Sequence, residues 1–113
     1  MLLKEWMEKY EAKAEPFSIP DGFVLYFEPN KGFFLWRKID KAFCIDAFCT
    51  NDIHGLQQTA NDMGKDLGCT FLSTQTLHNP LAFQRLTKAT LNRKLSGVRS
   101  NGIMYWVFEK SIV

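Results

Sequence analysis

The sequence predicts an α/β fold with a mixed sheet, on three observations. Three strand-like runs, "FVLYFE", "GFFLWRKID" and "AFCIDAFCT", follow one another with only "PNKG" and "DK" between them. Connections that short force antiparallel neighbours, so the runs form a meander. A helical segment and the strand-like "CTFLSTQT" come next. A strand, a helix and a strand in that order favour a parallel pair joined by a right-handed crossover.

Each element has its own local warrant. In "LLKEWMEKYEAKA", Leu3, Met7, Tyr10 and Ala14 recur at helical spacing with Trp6 beside them. Pro16 and Pro20 end that helix and lead to the turn "PDG". In the third strand, simple alternation puts Phe43, Ile45, Ala47 and Cys49 on one face and Cys44, Asp46 and Phe48 on the other. Both faces are partly apolar, which places the strand between layers. Leu56, Ala60, Met63 and Leu67 form one stripe of a helix over roughly residues 52 to 67. Thr50, Asn51 or Asp52 caps its start, and Gly68 suits its C′ position. Asn79 followed by Pro80 marks another helix start, with Ala82, Leu86 and Ala89 expected to face inward and Leu81 or Phe83 flanking. The helix fades near "RKLSG", and "SNG" turns the chain into the aromatic strand "IMYWVFEK", with "LSGVR" as a short hairpin partner.

The totals narrow the class. A chain of 113 residues is read as one domain, 1–113, with 1–20 as N-terminal helix and linker. Hydrophobic residues at 46% and charged residues at 23% are ordinary globular values, which argues against bulk disorder. A formal charge of +2 is too small to imply nucleic acid. The start "MLLKEWMEKYEAK" alternates charge with apolar residues, unlike a signal peptide. No apolar run approaches the roughly 18 residues of a membrane span. Three cysteines, Cys44, Cys49 and Cys69, cannot all pair. The expectation is a cytoplasmic protein with reduced thiols and no membrane partner.

The order helix, meander, helix, parallel strand, helix, terminal hairpin resembles the GNAT fold of acyl-CoA N-acyltransferases over about residues 22 to 110. "HNPLAFQRL" resembles that family's asparagine-led helix, with Asn79 and Ala82 at the matching offset, and "YWVFEK" its terminal strand. The resemblance implies that Phe43–Thr50 and Cys69–Thr76 splay apart and that the pantetheine arm of acetyl-CoA or CoA lies between them. It further implies that the loop Thr50–Leu56 holds the pyrophosphate and that Asn79 and Phe83 flank the adenine. The implied cofactor set is Phe48, Cys49, Thr50, His54, Gly55, Leu56, Asn79 and Phe83. The chain also departs from the family's turn, which runs Gln or Arg, two residues, Gly, one residue, Gly or Ala. With Gly55 as its first glycine, the basic position is Asp52 and the last small one Gln57; with Gly55 as its second, they become Thr50 and Ile53. The family's tyrosine acid falls near Leu86, which donates no proton. Short, reduced GNAT-like proteins of tailed phages and prophages, including internal virion proteins, are similar, and for them a non-catalytic, protein-binding role is the alternative.

Several side chains invite chemistry. Asp46 on a central strand is the candidate general base for an amine acceptor, with a water as the other, or it pairs with Lys38 or Arg37. Cys49, His54 and Asp46 would make a nucleophile dyad with an orienter, although alternation turns Asp46 away from Cys49. No metal is expected, because the cysteines, His54 and His78 lack ligand spacing. Arg85, Lys88, Arg93, Lys94 and Arg99 read as a solvated helix face, with a nucleic acid or the 3′-phosphate of CoA as the alternative they could meet. The aromatic meander also offers a surface for a partner protein or a second copy of the chain.

Overall fold

Trp6 and Tyr10 anchor the first helix, α1 (Leu3–Lys13), against the sheet. They bury with Phe33, and Leu3, Ala14, Ala47 and Cys49 pack around them. The inward stripe is therefore Leu3, Trp6, Tyr10 and Ala14. Trp6 Nε1 donates to the Pro29 carbonyl at 2.9 Å, which satisfies the indole in the core. The computed structural model describes residues 1–77 and 79–112; His78, named above with the metal reading, lies outside them.

The meander forms as expected, with β1 (Val24–Glu28), β2 (Gly32–Ile39) and β3 (Ala42–Thr50) antiparallel in sequence order. Helix α2 (Ile53–Asp66) crosses to β4 (Phe71–Thr76), which runs parallel to β3. Gly68, at φ +77°, takes the left-handed turn that ends α2. Helix α3 (Pro80–Thr87) leads into the hairpin of β5 (Thr90–Val98) and β6 (Met104–Ser111), and the sheet order is β1-β2-β3-β4-β6-β5.

Alternation along β2 sends Phe33 to the α1 face and Phe34 to the other, where Phe43, Ile45, Leu56, Ala60 and Leu72 form the main core. A third cluster joins Phe83 of α3 to Ala89 and Phe108. Gly64 lets α2 approach closely, since a Cβ there would sit 2.6 Å from Ile112 Cδ1 and 3.2 Å from Phe43 Cβ.

Three sequence expectations need correction. Simple alternation in β3 fails, because Phe34 pairs with Phe48 but Trp36 with Ile45. Two steps on β2 match three on β3, so β3 carries a bulge at Asp46–Ala47. Phe48 thus joins Ile45's face, while Ala47 and Cys49 face α1. The inward residues of α3 are Phe83 and Thr87 rather than Ala82 and Leu86, and Leu86 is half exposed. Lys88, at φ 61°, closes that helix, so "RKLSG" belongs to a hairpin strand that begins at Thr90.

Candidate functional site

The parallel pairing of β3 with β4 stops at Ile45↔Thr74. Beyond it, β3 continues to Thr50 alongside β2, while Gln75 and Thr76 stay with β6. The two strands diverge, and the bulge at Asp46–Ala47 marks the point of divergence. Asp46 lies at the apex of the resulting slot, with Tyr10, Ala14, Ala47, Gln75 and Arg99 around it. The slot opens into a cleft of about 410 Å³, walled by Tyr10 and Lys13 of α1, Cys49 and Thr50 of β3, and Asn79 and Phe83 of α3.

Charge is concentrated at the apex. The Arg99 guanidinium lies 3.1 Å from the Glu15 carboxylate and 3.7 Å from that of Asp46. Arg99 also covers the Tyr105 ring at 5.6 Å. Burial pushes the Asp46 carboxyl above its ordinary value, Arg99 opposes that shift and Glu15 adds to it. Burial, then the nearby Glu15 and Asp46 charges, push the Tyr10 hydroxyl well up, so it stays protonated across the working pH range. Asp46 therefore faces the slot, and its partner is Arg99 rather than Lys38 or Arg37. Arg37 packs at Gly22 and Lys38 donates to the Leu67 carbonyl. The late basic residues form no single helix face: Arg85 is on α3, Arg93 and Lys94 on β5, and Arg99 turns inward.

Of the residues named for the cofactor, Phe48, Cys49, Thr50, Asn79 and Phe83 line the cleft together. Asn79 Oδ1 accepts from the Leu81 and Ala82 N–H groups, fixing the start of α3. The Phe83 ring sits between Phe48 and Phe108, at centroid distances of 5.9 and 4.8 Å, and backs the cleft. His54 is exposed and borders a different groove with Gln58, Asn61 and Lys110. Leu56 is buried in the main core. The dyad is not assembled: the bulge brings Asp46 to the same face as Cys49, but His54 lies elsewhere. Burial also raises the Cys49 thiol, against its use as a nucleophile. Among the described residues no cluster of His, Cys, Asp or Glu could hold a metal ion.

The turn before α2 is closed on itself. Asp52 Oδ1 accepts the Gly55 N–H at 2.9 Å, and the Asp52 N–H donates to Thr50 Oγ1 at 2.9 Å. The Asn51 N–H goes to the Lys31 carbonyl at 3.2 Å, and that of Leu56 to the Asp52 carbonyl at 3.0 Å. A Cβ on Gly55 would lie 2.3 Å from Asp52 Oδ2, so the carboxylate fills the space beside the glycine. A pyrophosphate is opposed at this turn, because the Asp52 carboxylate holds the Gly55 N–H and fills the space beside that glycine.

Sequence reasoning missed the roles of Tyr10, Glu15 and Arg99. Tyr10 was legible only as part of an apolar helix stripe, and Arg99 only as one surface cation. No local pattern links residues that meet through the sheet and its last hairpin.

Strands of a mixed six-stranded sheet that part beside a crossover helix define the GNAT acyltransferase fold, and solved structures similar in shape carry it. Ard1 from Thermoplasma volcanium superposes with a TM-score of 0.66 at 10% identity, covering 100% of this chain and 95% of that one. The ribosomal-protein-S18-alanine N-acetyltransferase from Escherichia coli gives 0.60 at 12%, covering 99% and 90%. A Bacillus subtilis acetyltransferase solved in complex with CoA gives 0.53 at 11%, covering 79% and 75%. At these identities the likeness is one of fold. No protein-family profile matches the chain, and no curated protein matches its sequence.

Proposed function

We propose that the chain is an N-acyltransferase that lays a pantetheine thioester between β3 and β4 and delivers its acyl group to a primary amine. The observation that carries this reading is the divergence of β3 from β4 at a half-buried carboxylate, Asp46. The chain's likeness in fold to acetyltransferases, one of them solved in complex with CoA, supports it. In the transfer the amine nitrogen bonds to the carbonyl carbon, the C–S bond breaks, and the thiolate takes up the proton that the amine gives up. The part of β3 beyond its last pairing with β4 would lie along the arm. Asp46, or a water beside it, would take the amine's proton. Tyr10, protonated and adjacent, would return a proton to the departing sulfur, in place of the family tyrosine whose position Leu86 holds.

The test is thiol release from S-acetylpantetheine in the presence of varied primary amines. The reading expects amine-dependent release that Asp46→Asn lowers by about tenfold or more. Release that ignores the amine, or an Asp46→Asn variant at full rate, contradicts it.

A second reading is a non-catalytic relative of the phage or virion kind that binds another protein. The exposed Leu95, Val98 and Met104 on the edge hairpin favour it. Light scattering, together with the gene's neighbours, separates it from the first.

A further inference from the structure

We propose that the acyl donor is a phosphopantetheine thioester bearing a single phosphate, as on a carrier protein or as the free arm, and not acyl-CoA. This rests on the reading of the slot as a pantetheine site. That part of the fold is intact: the strands part after Ile45↔Thr74, and the cleft beyond them is about 410 Å³. What fails is the seat for the rest of CoA.

Four backbone donors of the turn from Thr50 to Leu56 are already committed, the Gly55 N–H to a carboxylate. The N–H groups of Asn51, Asp52, Gly55 and Leu56 are bonded to Lys31, Thr50 and, twice, Asp52. A pyrophosphate would have to displace the Asp52 carboxylate from Gly55 and then lie beside it. Like charges at a helix start, competing for the same donors, oppose that. An Asp at this point is a good helix cap, so the chain gains a stable α2 and loses an anion seat. A donor that ends at one phosphate need not reach the turn. Its phosphate would stay in the cleft, where Lys9 and Lys13 of α1 lie across from Cys49 and Thr50. Both lysines bear on the Cys49 thiol as nearby positive charges. The cleft therefore carries its cations on α1, away from the turn.

The experiment compares binding of 4′-phosphopantetheine and CoA by calorimetry, in the wild-type chain and in two variants. Asp52→Asn keeps a capping acceptor and removes the charge; Asp52→Gly frees the Gly55 N–H as well. The wild type should bind 4′-phosphopantetheine at least as tightly as CoA. Asp52→Gly should strengthen CoA binding about tenfold and leave 4′-phosphopantetheine within about twofold, with Asp52→Asn between. Wild type binding CoA about tenfold the tighter, with Asp52 changes leaving the ratio untouched, overturns the proposal while the pantetheine site stands. Binding of neither ligand to any of the three overturns both. Transfer assays add the donor's source: acetyl transfer from the free arm or from the arm on an acyl carrier protein supports the proposal, and transfer from acetyl-CoA alone overturns it.

Discussion

Arg99, from the turn of the last hairpin, holds its guanidinium 3.7 Å from the Asp46 carboxylate at the bulge of β3. It also reaches Glu15 at 3.1 Å. One cation thus serves two carboxylates with side-chain exposures of 18% and 17%. Removing Arg99 strands two like charges, whereas removing the Asp46 charge leaves the closer pair intact. Arg99→Met should destabilise the fold by about 2–3 kcal/mol and Asp46→Asn by under about 1 kcal/mol, after allowing for partial exposure. Urea unfolding measures both. Equal losses would mean that the Arg99–Glu15 pair adds nothing beyond the Arg99–Asp46 contact.

The pH dependence follows from the same carboxyl. Burial raises the Asp46 pKa in the folded chain above its ordinary 3.8, so between the two values the folded state binds more protons than the unfolded one. Its contribution to stability is present below 3.8 and is lost as pH rises through the folded value. Wild type should therefore lose stability relative to Asp46→Asn across that interval. A difference that stays constant, or widens in the wild type's favour with rising pH, contradicts this sign.

Gly32 shapes the slot from its outer side. Its φ is +125°, and a Cβ there would lie 2.0 Å from the Cys49 carbonyl oxygen and 2.9 Å from Thr50 Cα. Backbone cannot yield as a side chain can, so Gly32→Ala should cost about 2–4 kcal/mol and displace the end of β3. Thermal unfolding checks the first effect and loss of pantetheine binding the second. A variant as stable as wild type would show that this crossing of the two strands is wrong.

Cys49 should behave as a core thiol. With its pKa raised above 9.0 by burial, alkylation by iodoacetamide, followed at that residue by mass spectrometry, should stay slow at all pH values below 9.0. His54→Ala should not alter the rate, because His54 borders another groove. An inflection below 9.0 that disappears in His54→Ala would restore the dyad.

Much of the fold was legible because its signals are local. Short connections fixed the meander, the Asn79–Pro80 pair started α3, and Gly68 ended α2. The β3 bulge was not legible, since it depends on register against β2, and alternation alone put Asp46 on the face opposite Cys49. The burial of Phe83 in place of Leu86 likewise depends on which face of a short helix meets the Phe48 and Phe108 rings. At the site, the broken glycine pattern showed that the turn departs from its family. Its physical form, a carboxylate seated on the Gly55 N–H, needed coordinates. Tyr10 and Glu15, Asp46, and Arg99 come from three separate stretches of chain, and only the fold gathers them.

The most direct test of the slot is a ¹⁵N–¹H NMR titration of the labelled chain with pantetheine. The amides of Ala47, Phe48, Cys49 and Thr50, with Gln75 and Thr76 across the gap, should move together and saturate. Unmoved amides along those two segments, or shifts confined to the groove of His54, Gln58 and Asn61, would contradict the account.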